Sequence, residues 1–213
     1  MSVVQSYHSN RRHYGVSAVW TAPLGTVTSA YVPAGTASAF TVGTAPTNVP
    51  GNVAWLPLGW TDGGYDLTFT IKTEEDDAAE SYDPVAYPLV GRAAVLKASL
   101  KQANLTNLRL SLNAPTTSVN QPPGPSTTAT LTPPAPGSEV RNQYLLVSQE
   151  GNFAVVIYRA LNTGAVSLMF QKGAKGLSVP LELNVEVVDS SISPAPYHIH
   201  TIGTAFAETL NTD

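Results

Sequence analysis

Five carboxylates crowd into seven residues at Glu74, Glu75, Asp76, Asp77 and Glu80. Carboxylate oxygens are what Ca²⁺ prefers, yet a calcium loop alternates its ligands around a mid-loop glycine, and this run has neither feature. The other reading is a solvated loop tip. His198 and His200, in YHIH, point to one face if that segment is a strand. Two imidazoles can begin a zinc site, but the sequence offers no evident third ligand. His8 and His13 lie in a polar N-terminal stretch, and no Ser or Asp near any histidine sits in a nucleophile-elbow context. A triad assembled from distant positions stays formally open. The pieces TDGG and KGAKG lack the spacings that cradle phosphate. Trp55 and Trp60, in AWLPLGW, can either stack on a sugar ring or anchor a turn in apolar packing. These residues assign no catalytic group, no cofactor and no metal, and the chain reads as non-enzymatic.

Composition narrows the class further. The 213 residues suffice for one substantial core. The apolar share of 43% is ordinary, but the charged share of 12% is about half the usual value, as expected of a surface largely covered by neighbours. A net charge of −4 argues against a basic phosphate-gripping face, and Arg11, Arg12 and Tyr14 form too small a basic-aromatic arm to reverse that. There is no cysteine, hence no disulfide framework and no thiolate site. The opening MSVVQSYHSNRRHYG has no apolar core of a signal peptide, and no run reaches the roughly 18 apolar residues of a membrane span. The expectation is a soluble protein made in a cytoplasm.

Stepping along the chain, residues 1–14 read as a flexible arm and 15–203 as one β domain, with 204–213 as a tail. Gly15 to Trp20 form a short strand closed by Pro23 and Gly25; residues 25–53 read as an extended arm or long loop. Leu67, Phe69 and Ile71 alternate with Thr68, Thr70 and Lys72, the pattern of a half-buried strand. An acidic inter-strand loop, 73–88, leads to LVGRAAVLKASL, in which Val90, Ala94, Leu96, Ala98 and Leu100 share a face. That strand runs directly into a helix: Asn104 caps it, Leu105, Leu108 and Leu112 recur on one side, and Pro115 closes it. Residues 114–140, rich in Pro, Thr and Ser, read as a surface excursion. QYLLVSQ, FAVVIYRA, AVSLMF, VPLELNVEVV and Tyr197 to Ile202 supply further strands. Six to eight strands with one helix predict a mainly-β fold, a β-sandwich or open barrel of two packed sheets flanked by one α-helix.

Residues 53–113 resemble the major tail tube proteins of long-tailed bacteriophages. The likeness rests on the order of Leu58-Gly59-Trp60, Asp62-Gly63-Gly64, Gly91-Arg92 and the helix from Leu105 to Asn113. VWTAPLGT resembles the family's opening strand and turn, and VPLELNVEVVD its last long strand, so that about two thirds of the chain is covered. The 114–140 segment departs from the simplest members. The resemblance implies a virion protein assembled in the host cytoplasm around a tape-measure protein and bounded by tail terminator and tail-tip proteins. Six subunits would form a ring, and the rings would stack into a tube whose lumen passes DNA without binding it.

A wall of carboxylates, hydroxyls and amides lets DNA slide where lysines would hold it. Some of Glu74, Glu75, Asp76, Asp77, Glu182 and Glu186 are therefore expected to face the lumen or the next ring, and Leu105, Leu108 and Leu112 to lie on a subunit-contact helix. The alternatives are another β-sandwich virion component, for tail completion, connection or head decoration, or a carbohydrate-binding module, which needs Trp55 and Trp60 exposed on one flat face.

Overall fold

The computed structural model describes residues 16–33, 55–59, 61–74, 86–101, 104–120, 128–148, 153–167 and 178–201. Among the described residues the chain is mainly β with a single α-helix. In order come β1 (Val16–Pro23), β2 (Leu56–Pro57), β3 (Thr61–Thr73), β4 (Leu89–Leu100) and α1 (Leu105–Ser111). There follow β5 (Val119–Asn120), β6 (Thr130–Leu131), β7 (Asn142–Ser148), β8 (Phe153–Asn162), β9 (Val179–Val185) and β10 (Tyr197–Thr201). Eight strands make one sheet in the order β2-β1-β7-β8-β9-β4-β3, with β10 also pairing β8; β5 and β6 form a separate two-stranded ribbon.

The sandwich arises because this sheet curls over itself. Side chains from opposite ends of the strand order meet in one core: Val19 of β1, Tyr144 and Leu146 of β7, Leu96 and Leu100 of β4, and Leu181 and Leu183 of β9, with Tyr65 and Leu67 of β3 packed against them. The turn is made in β8. Along one edge β8 pairs β10 through Phe153–Ile157 and then β9 through Ala160–Asn162. A register shift opposite β7, between the pairs Asn142–Ala160 and Tyr144–Ile157, marks a bulge at that handover. A bulge bends a strand and increases its twist, as a change of layer requires.

The central strands are buried on both faces. Trp20, Leu145, Val147, Ala154, Val156 and Tyr158 point away from the first core into a second, closed by Val27, Tyr31, Trp55 and Val188. The covering segment is held by the Gln143 amide: Val27 N–H donates to Oε1 at 2.8 Å, and Nε2 donates to the Val27 carbonyl at 2.9 Å. A buried side-chain amide thus supplies the ladder bonds that a neighbouring strand would have made.

Asn104 caps α1 as expected, its Oδ1 accepting from Asn107 N–H at 2.8 Å. The helix ends earlier than Pro115. Asn113 adopts the left-handed conformation (φ 53°) and stops it, with its side chain tied to Asn162. Residues 116–118 then make one short 3-10 turn before the β5–β6 ribbon. Of the expected strand AVSLMF, residues 165–167 are not strand and the rest lies outside the described residues.

Candidate functional site

The β3–β4 hairpin outruns the sheet. β9 pairs β4 only along Val95–Leu100, whereas β3 continues to pair β4 out to Thr73 and Leu89. Beyond Val95 the hairpin is therefore a two-stranded ribbon, Phe69–Thr73 against Leu89–Ala94, about 17 Å long at the usual rise per residue. Its large apolar side chains are open: Phe69 is 41%, Ile71 72%, Leu89 59% and Val90 46% exposed, and Tyr87 beside them is 58% exposed. Among the described residues the cover over the expected half-buried face thins past Leu67: Ala94, opposite Phe69, is still buried, but Ile71 is not. Phe69 keeps one aromatic neighbour, Tyr197, at a ring-centroid distance of 4.8 Å. An isolated ribbon is marginal in water, and edges left unpaired, as these are among the described residues, are templates for another strand.

Glu74 follows directly, exposed, with Lys72 Nζ at 3.9 Å. Glu75, Asp76, Asp77 and Glu80 lie outside the described residues. Glu182 stands opposite Lys97 on the neighbouring strand, 3.1 Å away. Glu186 is held by two arginines, its Oε2 accepting from Arg159 Nε at 2.8 Å and from Arg141 Nε at 3.3 Å. Both of these carboxylates are already neutralised by cations. Leu105, Leu108 and Leu112 are each half-buried; Leu108 packs on the first core, while the fully buried helix leucine is Leu110.

The chemistry-bearing candidates settle into structural places. His198 and His200 do share a face, with rings 6.2 Å apart, but His198 Nδ1 is engaged by the Tyr158 hydroxyl at 2.9 Å. Burial, reinforced by the neighbouring His198, holds the His200 imidazole below its ordinary pKa. Among the described residues no group of three or more His, Cys, Asp or Glu is placed to hold a metal. Trp55 is 1% exposed in the second core, beside Tyr31 at 6.2 Å. A carbohydrate-binding face needs that indole exposed, so the carbohydrate reading loses its platform; Trp60 lies outside the described residues, as do His8, Arg11, Arg12, His13 and Tyr14. No helix among the described residues is long and apolar enough to cross a membrane.

Sequence reading did not single out Arg109, a residue only 8% exposed in the last turn of α1. Its only signal was a basic residue among the helix leucines. Nor did it find the Asn113–Asn162 pair, whose members lie 49 residues apart in the chain, at the helix end and the end of β8. No protein-family model matches the chain, and no curated protein is significantly similar to it.

Proposed function

We propose that the protein is a structural subunit that polymerises with copies of itself, the repeating unit of a bacteriophage tail tube built from stacked hexameric rings. The observation that supports this is the projecting β3–β4 ribbon, which carries exposed Phe69, Ile71, Leu89 and Val90 on a hairpin whose outer backbone edges pair with no other strand among the described residues. A monomer gains nothing from such an element, whereas a neighbour that pairs with the edge and covers the apolar face stabilises both. In this reading the ribbon reaches an adjacent subunit and the sheet layers close around the ring. Negative charge facing the lumen falls chiefly to the stretch beginning at Glu74, because Glu182 and Glu186 are matched by Lys97, Arg141 and Arg159. DNA, the tape-measure protein and the tail terminator and tip proteins are its expected partners, and the virion tail its location.

Ile71→Lys tests the idea directly. The side chain is 72% exposed, so folding stability should change by no more than about 0.5 kcal/mol, while self-association measured by sedimentation should weaken at least about tenfold. Unchanged self-association would remove the ribbon from the contact.

A further inference from the structure

Among the described residues Arg109 is a buried cation with no ion-pair partner. It is 8% exposed, and the ion pairs among the described residues involve Lys72, Lys97, Arg141 and Arg159 but not Arg109. Of its five N–H donors, one nitrogen is engaged: Nη1 donates to the Ala114 carbonyl at 3.2 Å. Burial lowers its pKa and the nearby Tyr144 opposes that shift, but a guanidinium stays protonated in any case. The group borders a cavity of about 210 Å³ walled chiefly by Ala22, Leu56, Leu110, Pro115 and Val140. Thr21 lines the same cavity, its buried hydroxyl beside the Tyr144 side chain across the β1–β7 pairing. The guanidinium thus borders a mostly apolar chamber whose other polar lining residues are Thr21, Thr116 and Asn142.

We propose that this cavity is a carboxylate-binding site, and that its occupant is an Asp or Glu side chain from a second copy of the chain. Arg109 takes the two oxygens as a bidentate pair, the geometry in which a guanidinium binds carboxylate best. Thr21 donates its hydroxyl, and Leu56, Pro115 and Val140 receive the methylene stem. Charge balance favours a second copy as donor. The chain has 15 acidic against 11 basic residues, and the exposed Glu74 stands at the end of the projecting ribbon. The choice of donor rests on the self-assembly reading above; the chemistry of the cavity does not. The competing account is that Arg109 only caps the helix C-terminus through Ala114, a familiar role for a basic residue there.

The two accounts separate in a titration of the full chain, followed by amide and arginine side-chain NMR, with sodium hexanoate and with hexanol. The carboxylate site predicts that hexanoate moves Thr21, Leu110 and Val140 and binds at least about tenfold tighter than hexanol. Thr116→Trp, at an exposed position on the cavity rim, should abolish this while leaving the rest of the spectrum in place, and Arg109→Lys should weaken it. Hexanoate no tighter than hexanol, or binding that survives Thr116→Trp, overturns the site. In a sedimentation assay Thr116→Trp, or hexanoate added to the wild type, should reduce self-association. Self-association unaffected by both overturns the second-copy donor and leaves the assembly reading standing. A wild type that never self-associates overturns the donor and the assembly reading together, with the hexanoate titration still deciding the site.

Discussion

Replacing Asn162 with alanine removes the amide that joins helix, β8 and β9. Its Nδ2 donates to the Ser111 carbonyl at the end of α1, and its Oδ1 accepts from Glu182 N–H at 2.7 Å. Asn162 is 6% exposed and Ser111 2%, so water reaches the abandoned partners poorly. A buried polar group left unsatisfied costs about 1–3 kcal/mol, and two such losses, eased by partial hydration of the Glu182 amide, come to about 3 kcal/mol. The backbone of residue 162 keeps its own bonds to Asn113, at 2.8 Å and 2.7 Å, so the helix end should loosen rather than detach. Urea denaturation followed by far-UV circular dichroism measures the loss, and at this chain length the midpoint temperature should fall by about 6–12 °C. A loss below about 0.5 kcal/mol would refute the claim that this amide holds the helix to the sheet.

Gly164→Ala should destabilise by about 1–3 kcal/mol, because a Cβ there would lie 2.7 Å from Glu182 Cβ; an unchanged denaturation midpoint would show that the β8–β9 connection yields freely. His200, held below its ordinary pKa by burial and by His198, is neutral in the folded chain over a range where the unfolded chain is protonated. Its contribution is present above the unfolded value of about 6.5 and is lost as pH falls below it toward the lower folded value. His200→Gln should flatten the stability profile in that acidic window, and an identical profile in the variant would contradict the assignment.

The elements were legible wherever local chemistry decides them. Asn104 reads as an N-cap because its short side chain reaches the Asn107 amide, and Leu181, Leu183 and Val185 alternate because β9 has one face in the core. Alternation marks a pleated face without saying that anything covers it, so Ile71 reads the same as Leu67 although only the latter packs. Pro115 looked like the helix stop because proline excludes helix, but Asn113 acts first by taking a positive φ that its contacts with Asn162 fix. Glu182 and Glu186 read as candidates for the lumen or an inter-ring contact; the cations they meet are distant in sequence, at Lys97, Arg141 and Arg159. Arg109 was hidden for the same reason, since its cavity is assembled from β1, β2, the helix and the segment ahead of β7.

The central claim is that this chain exists to polymerise. Negative-stain electron microscopy of the concentrated wild-type protein tests it most directly. Hollow tubes of stacked six-fold rings are the predicted result. Single rings that never stack, or dispersed monomers even in the presence of an assembly initiator, would contradict it.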